Sequence, residues 1–220
     1  MDNLRWGTVT PLLANILHAI MPLDEFKAFR LVGGTNLSLK YGHRMSQDID
    51  MFTDAPYGSI DYSQIEFKLK SMYPYFDDSL NDGPVGFGRM YYVGLNKDNC
   101  IKLDVMYTDP FFDEPEVLDN VRMATTDQIA AMKIQAINTG GRKKDWWDIH
   151  MLLDQYSLND LLALHERWVP WHHERTALLD KLIDFSVAND DPDPVCLLNK
   201  DWDMIRLDII DHVQDAAGRS

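Results

Sequence analysis

The stretch 33–52 constrains the fold more than any other part of the chain. It follows a predicted short strand, 29–32, that is mostly apolar, and ends in the alternating sequence Asp-Ile-Asp-Met-Phe at 48–52. Successive side chains of a β-strand point to opposite faces, so Asp48 and Asp50 are predicted to project together while the apolar residues beside them are buried. The pattern therefore predicts two core strands with a short helix, 36–41, between them.

Asp48 and Asp50 are suited to binding a divalent metal ion. Two adjacent carboxylates repel each other, and a bound cation removes that penalty. Mg²⁺, or Mn²⁺ in its place, prefers hard oxygen ligands, and Mg²⁺ is commonly held by one or two carboxylates together with substrate phosphates. Two such ions stabilise the attacking and leaving oxygens of an in-line displacement at phosphorus. We therefore predict a catalytic metal site at this pair.

The residues Gly33, Gly34 and Thr35 precede this pair and suggest a phosphate contact. Glycines adopt backbone angles that other residues avoid, and they allow a phosphate to approach the main chain. Thr35 is predicted to cap the following helix and to hydrogen-bond a phosphate at its positive end. A Gly-Gly turn or a surface Asp pair alone is common in loops. The Gly-Gly turn followed by the Asp pair, in this order, is much more specific evidence for a phosphate and metal site than either feature alone.

A third acidic residue lies on another predicted strand, 100–107, which forms a hairpin with 85–95. Apolar residues there alternate with Lys102 and Asp104, so Asp104 is placed on the less apolar face. An ordinary exposed Asp in an alternating strand explains this pattern equally well. Lys102, two residues earlier on the same face, would compensate the charge of Asp104.

Lys133 is an anomaly in the predicted amphipathic helix 127–139. Its helical neighbours at three and four residues on either side are Ile or Ala, so it interrupts an apolar stripe. A lysine that extends to solvent from the edge of the stripe is one explanation, and a lysine directed at a phosphate is the other. Further on, Asp145 and Asp148 are spaced to share one helix face, although Asp145 could instead be an N-cap.

Two segments carry a resemblance to a known family. The first motif of the AbiEii/AbiGii-type toxin nucleotidyltransferases, within the polymerase-β-like nucleotidyltransferase superfamily, resembles Gly33-Gly34-Thr35-x-Leu-x-Leu followed by Gly42-His43-Arg44-x-Ser46-x-Asp48-Ile49-Asp50-x-Phe52. A later motif of the same group resembles Lys133-x-x-Ala followed by the basic run and Asp145-Trp146-Trp147-Asp148. The resemblance extends over about residues 28–153.

The resemblance implies roles for individual residues. Asp104 would be the third carboxylate, which binds a catalytic metal or deprotonates the attacking hydroxyl. Lys133 would contact the triphosphate, and Asp145 and Asp148 would complete the nucleotide site or orient Lys133. The set predicted to bind the nucleotide and its phosphates consists of Gly33, Gly34, Thr35, Arg44, Ser46, Lys133 and Asp145. The predicted catalytic set consists of Asp48, Asp50, Asp104, Lys133 and Asp148.

The predicted fold class is α/β (α+β). Residues 1–124 are expected to form a nucleotidyltransferase-like mixed sheet with flanking helices, and residues 125–220 a helical domain that completes the nucleotide cleft. The segment 73–86 is predicted to be a loop and 121–123 a short edge strand. Helices are predicted over 9–21, 36–41, 59–72, 127–139, 158–168, 176–188 and 202–213.

Charge and composition limit the partners. The 220 residues are 45% hydrophobic and 25% charged, which is typical of a soluble globular protein. The net charge is −14, and a strongly acidic surface repels nucleic acid unless a local basic patch overrides it. We therefore expect RNA, if it binds, near the basic residues, which are Lys40, His43, Arg44 and 142–144.

Location is predicted from what the sequence lacks. No run approaches the length of a membrane span, and the first ten residues do not have the basic-then-apolar pattern of a signal peptide. A cytoplasmic location without a membrane partner is therefore expected. Cys100 and Cys196 lie far apart in the sequence and have no metal-binding spacing, so both are predicted to be reduced structural thiols.

The function predicted from these observations is metal-dependent transfer of a nucleoside monophosphate from an NTP to an acceptor hydroxyl. The family resemblance implies RNA, such as the end of a tRNA, as the acceptor, a role as the toxin of a toxin–antitoxin or phage-defence system, and a cognate antitoxin protein. A small antibiotic-like molecule or a protein as acceptor is an alternative that the acidic surface favours. A non-catalytic nucleotide-binding module is a third possibility.

Overall fold

The computed structural model describes residues 4–81 and 83–218. The chain divides into two compact units. The sheet unit comprises Met1–Lys40 and Ser46–Thr125, and the helical unit comprises Tyr41–Met45 and Thr126–Ser220. The segment Tyr41–Met45 thus belongs to the helical unit, although the residues on either side of it in sequence belong to the sheet unit.

One mixed sheet forms the centre of the sheet unit. In its described residues, the strands in chain order are β1 (Arg30–Leu31), β2 (Asp48–Thr53), β3 (Tyr75–Asp77), β4 (Gly88–Asn96), β5 (Asn99–Tyr107), β6 (Glu116–Leu118) and β7 (Val121–Met123). Their spatial order is β3-β4-β5-β2-β1-β7-β6. β2 is parallel to β5 and β1 to β7, whereas the other neighbours are antiparallel. A mixed sheet with helices confirms the predicted fold class.

Three helices of the described residues accompany this sheet, and they are α1 (Pro11–Ile20), α2 (Gly33–Tyr41) and α3 (Tyr62–Met72). α1 begins where the sequence predicts, because the Thr10 side chain accepts a hydrogen bond from the Leu13 N–H and Pro11 occupies the first turn. The helix packs on β2 and β5. Its buried side chains join Ile49 and Met51 of β2 in one hydrophobic core.

The short strands are where the sheet unit differs from the sequence prediction. The segment 73–86, predicted as a loop, contains β3, which pairs with β4 at one edge of the sheet. β7 is not an edge strand as predicted, because β6 lies outside it. Both unpredicted strands, β3 and β6, have only three residues, and so few residues produce no readable hydrophobic period.

The helical unit is built around α4 (Thr126–Asn138). This helix contacts three of the other described helices of the unit, α5 (Lys143–Leu152), α6 (Leu158–Trp168) and α7 (Arg175–Leu182). The last helix, α8 (Trp202–Ala216), packs on α5, α6 and α7. Trp147 of α5 stacks on Trp202 with ring centroids 5.9 Å apart. Aromatic packing of this kind contributes more than its buried area alone.

The helix ends in this unit differ moderately from the prediction. α7 ends at Leu182 rather than near 188. Asp184 accepts hydrogen bonds from both the backbone and the hydroxyl of Ser186, and such local bonds compete with helix continuation. α8 extends three residues beyond the predicted end to Ala216. None of the helices in the described residues has the length and apolarity needed to cross a membrane.

Candidate active site

Three carboxylates share one face of the sheet. The parallel pairing of β2 and β5 places Asp50 opposite Asp104 and Asp48 opposite Lys102. All four side chains lie on the partly exposed face, while the residues between them along each strand are fully or almost fully buried. The predicted alternation therefore brings Asp48, Asp50 and Asp104 to the same side of neighbouring strands.

Gly33 lies directly against Asp50. Its backbone has φ +68°, and a Cβ built there would be 2.1 Å from Asp50 Oδ2. Only glycine fits this position, both because of its left-handed conformation and because the carboxylate occupies the space. The unusual backbone conformation predicted for Gly33 therefore allows its main chain to approach the Asp50 carboxylate closely.

Thr35 does not cap a helix as predicted, because α2 begins two residues earlier, at Gly33. Its hydroxyl is buried, donates to the carbonyl oxygen of Asp48 and lies 2.8 Å from the Ser46 hydroxyl. The Ser46 N–H in turn donates to the Thr8 carbonyl at 2.8 Å. These bonds anchor the start of β2, so the observed contacts of Thr35 and Ser46 hold the backbone that carries Asp48.

Lys102 compensates the carboxylates as expected. Its Nζ lies 2.6 Å from Asp104 Oδ1. Partial burial alone would lower the pKa of Lys102, but the hydrogen bond to Asp104 and the negative charges of Asp104, Asp50 and Asp48 outweigh it, and the pKa is raised. A protonated lysine therefore sits within the field of all three carboxylates.

The donor set on this face fits a hard divalent cation. It consists of carboxylate oxygens. Gly33 packs closely against Asp50 Oδ2, and this contact limits the movement of that carboxylate. Among the described residues, no three acidic, histidine or cysteine side chains are arranged to hold a metal ion by themselves. Mg²⁺ does not require such a complete cage, because it commonly binds one or two carboxylates and completes its shell with substrate phosphates and water.

The helical unit contains a second, buried group of charges around Lys133. Its ammonium lies 2.7 Å from Asp145 Oδ1 and 2.6 Å from Asp148 Oδ2. Burial lowers the pKa of Lys133, but the charges of Asp145 and Asp148 outweigh this effect and raise it. Lys133 is only 6% exposed, so it does not extend to solvent, and two carboxylates orient it.

Asp148 is the centre of this group. Its Oδ1 accepts hydrogen bonds from Arg44 Nε and from His43 Nε2, each at 2.7 Å, and its Oδ2 accepts one from Arg44 Nη2 at 2.8 Å. Burial alone would raise the pKa of Asp148, but Arg44 and Lys133 hold it well below its usual value. A carboxylate with no solvent exposure is thus compensated by two cations and an imidazole.

The structure corrects two expectations about this segment. His43 and Arg44, expected near bound RNA, are each only 2% exposed and point at Asp148. Asp145 is not an N-cap but the third residue of α5, where its carboxylate accepts the Arg142 N–H at 2.9 Å. Sequence reasoning did not place His43 in the site, because its partner is 105 residues away and no local pattern reports such a contact.

The sequence matches a known family over most of its length. The family described as nucleotidyl transferase AbiEii toxin, type IV toxin–antitoxin system, matches residues 15–218. The chain belongs to this family. Membership confirms the resemblance found in the motifs. An uncharacterised protein of Aquifex aeolicus (strain VF5) is 30% identical over 151 residues, which are 64% of this chain and 65% of that protein, just under two thirds of its length.

Solved structures show the same fold. JHP933 from Helicobacter pylori has a TM-score of 0.58 at 20% identity, over 96% of this chain and 94% of that one. A putative nucleotidyltransferase from H. pylori gives the same score and identity, over 94% and 92%. The nucleotidyltransferase toxin MenT4 from Mycobacterium tuberculosis H37Rv has a TM-score of 0.57 at 13% identity, over 92% and 82%.

Replacing Gly33 with alanine tests the close approach to Asp50. Gly33→Ala is expected to lose about 1 kcal/mol of stability from its backbone conformation and at least about tenfold in nucleotidyl transfer, because the Cβ must displace the Asp50 carboxylate. Gly58→Ala is the matched control, since Gly58 has φ +81° with nothing within 4 Å of its built Cβ. Equal activity in the two variants would contradict this account. Chemical denaturation and label transfer measure the two effects.

Replacing Asp148 with asparagine tests the buried charge group. Asp148→Asn leaves Arg44 and Lys133 undercompensated, so a loss of about 3–5 kcal/mol in the free energy of unfolding is expected. The control is Asp208→Asn, whose side chain is 48% exposed and pairs with His150 at 2.7 Å. A loss of at most about 1 kcal/mol is expected there. Urea unfolding measures both, and similar small losses would contradict the assignment.

Proposed function

We propose that this protein is a metal-dependent enzyme that transfers a nucleoside monophosphate from an NTP to an acceptor hydroxyl, releasing pyrophosphate. The observation that carries the proposal is the common face of Asp48, Asp50 and Asp104, with Gly33 packed against Asp50. Family membership supports the nucleotidyl-transfer part. The metal, the NTP and the acceptor are what the proposal adds.

The carboxylates have distinct proposed roles. Asp48 and Asp50 would hold Mg²⁺, or Mn²⁺ in its place, together with the phosphates of the NTP. Such an ion would supply charge neutralisation for the transferred phosphoryl group and the leaving pyrophosphate. Asp104 would share the ion or accept the proton of the attacking hydroxyl. Lys102, paired to Asp104 at 2.6 Å, limits the repulsion among the three acids.

The backbone around these acids serves to position the substrate. Gly33 and Gly34 allow the phosphates to approach the first turn of α2, where backbone N–H groups and the helix dipole favour negative charge. The bonds of Thr35 and Ser46 keep the start of β2 fixed. Catalysis then rests mainly on positioning and charge neutralisation, which are the dominant contributions in such reactions.

Residues of the helical unit are proposed to act on the triphosphate. Lys133 would contact it, and Asp145 would complete the nucleotide site, as the family motif suggests. Asp148 has a positioning role in this proposal: it is fully buried and holds Lys133 and Arg44 in place. The proposed phosphate role of Arg44 is therefore indirect.

The proposed acceptor is RNA, such as the end of a tRNA, and the proposed biological role is that of a toxin with a cognate antitoxin protein in a toxin–antitoxin or phage-defence system. The family description names a type IV toxin–antitoxin system. This role agrees with the expected cytoplasmic location, where RNA and NTPs are available. The antitoxin is implied by the family alone.

A cationic small molecule is the second candidate acceptor, and the charges of the structure favour it. Two of the basic residues expected near RNA are paired with acids: Lys40 with Glu116 at 2.5 Å, and Lys143 with Asp193 at 2.9 Å. Paired cations release fewer counterions from a nucleic-acid backbone. With a net charge of −14, the protein attracts cations more readily than polyanions.

Label transfer decides between these acceptors. The purified protein is incubated with Mg²⁺ and each α-labelled NTP, with either total RNA or an aminoglycoside-like polycation. Label on RNA supports the first proposal, and label on the polycation alone supports the second. A folded preparation that labels neither substrate, with any of the four nucleotides, would contradict nucleotidyl transfer to both.

Variants of the carboxylates tie that activity to the site. Asp48→Asn and Asp50→Asn are each expected to reduce transfer by about 100-fold or more, since charge neutralisation by a bound metal contributes several kcal/mol. The control is Asp98→Asn in the exposed turn between β4 and β5, which is expected to retain activity. Retained activity in the Asp48 or Asp50 variant would show that the chemistry lies elsewhere.

A further inference from the structure

Cys196 lies in a small pocket of the helical unit that the proposed reaction does not use. The pocket has a volume of about 10 Å³, room for one water-sized molecule. Besides Cys196, its lining includes His43, Trp147 and Lys200. The thiol is partly exposed, so a small reagent from solvent can reach the sulfur.

The groups around the sulfur favour its ionised form. Burial alone would raise the pKa of Cys196, but the Trp147 indole N–H, the backbone N–H groups of Leu198 and Lys200, and the charge of Lys200 lower it. The Leu198 N–H donates to Sγ at 3.5 Å. The Trp147 indole N–H has no partner that meets ordinary hydrogen-bond geometry. Its effect on the sulfur is therefore that of a dipole at longer range. A thiolate surrounded by such donors is the reactive form of cysteine.

His43 supplies an independent indication that the pocket receives a ligand. Its side chain is 2% exposed, and its Nδ1 has no hydrogen-bond partner. Nε2 faces the carboxylate of Asp148 at 2.7 Å, and in the tautomer that donates from Nε2 the other nitrogen, Nδ1, is an acceptor. An unpaired buried acceptor is costly, and a hydroxyl group bound in the pocket would satisfy it.

A metal ion is not what the pocket fits. His150 and Asp154 also line it, which gives a mixture of residue types that often bind metals. However, within residues 4–81 and 83–218 no three histidine, cysteine or acidic side chains are arranged to hold an ion. The donors around Cys196 instead suit a negatively charged sulfur and a small hydroxyl-bearing product.

We propose that Cys196 is a modification site, a thiol that hydrogen peroxide oxidises to a sulfenic acid. The thiolate sulfur attacks one oxygen of the peroxide, the O–O bond breaks, and the departing hydroxide takes up the proton released by the thiol to form water. The sulfur is oxidised and the peroxide is reduced. The new S–OH hydroxyl donates to His43 Nδ1. This inference does not rest on the proposed function.

Oxidation at this position acts on a segment that is bonded to the buried charge group. Cys196 pairs with Arg44 in an isolated β-bridge. The Leu197 N–H donates to the His43 carbonyl at 2.9 Å, and the Met45 N–H donates to the Val195 carbonyl at 2.8 Å. A change at the sulfur is therefore expected to shift the backbone of His43 and Arg44, the two residues that bind Asp148.

The two cysteines of the chain provide an internal comparison. Both are partly exposed, but burial and the negative charges of Asp77 and Asp98 raise the pKa of Cys100. The full-length protein is treated with hydrogen peroxide at pH 7 in the presence of dimedone, and the labelled peptides are quantified by mass spectrometry over time. Cys196 is expected to react at least about tenfold faster than Cys100, because its surroundings favour the thiolate and those of Cys100 oppose it.

Two variants keep the proposal falsifiable. Trp147→Phe retains an aromatic ring against Trp202 but removes the N–H, so labelling of Cys196 is expected to fall several-fold while that of Cys100 is unchanged. Lys200→Met removes the nearby charge and is expected to act in the same direction. Equal labelling of the two cysteines in the wild-type protein, or faster labelling of Cys100, would overturn the proposal.

Discussion

The parallel pairing of β2 with β5 is the interaction on which the candidate chemistry depends. The register sets Asp50 beside Asp104 and Asp48 beside Lys102. A slip of one residue would turn every side chain of β2 to the opposite face, and it would bury the acids and expose Ile49 and Met51. The hydrophobic core under these strands opposes that slip, so packing on one face fixes the arrangement of charges on the other.

In the helical unit, buried ion pairs hold the charged residues in place. Asp148 has no solvent exposure, and its negative charge is compatible with the interior only because Arg44, His43 and Lys133 surround it. Such a group contributes little net stability compared with an apolar core, but breaking it is costly. It therefore fixes the positions of Lys133 and Arg44 rather than adding stability.

Much of this could be predicted from the sequence, because it depends on local periodicity. The alternation in β2 placed Asp48 and Asp50 on one face, the alternation in β5 placed Asp104 on the less apolar face of its strand, and the helical spacing placed Lys133 among apolar residues. The spacing of Asp145 and Asp148 likewise predicted a shared helix face, and both carboxylates contact Lys133 from it; their role in orienting Lys133 was implied by the family resemblance. These features need only the periods of strands and helices.

The remaining features depend on long-range contacts that no local pattern encodes. The three-residue strands β3 and β6 form because neighbouring strands supply their partners. His43 and Arg44 are polar residues after a glycine, which suggests an exposed loop. Both are nevertheless buried, because they bind the carboxylate of Asp148, which is more than 100 residues away in sequence. The same limit applies to Cys196, whose surroundings are assembled from segments distant in sequence.

The position of a bound metal ion is the sharpest test of the proposed roles of Asp48 and Asp50. A crystal structure of the protein with Mn²⁺ and a non-hydrolysable NTP analogue would locate the ion by its anomalous signal. We expect an ion bonded to the carboxylates of both Asp48 and Asp50 and to the phosphates of the analogue. An ion and triphosphate bound away from these two residues would contradict it.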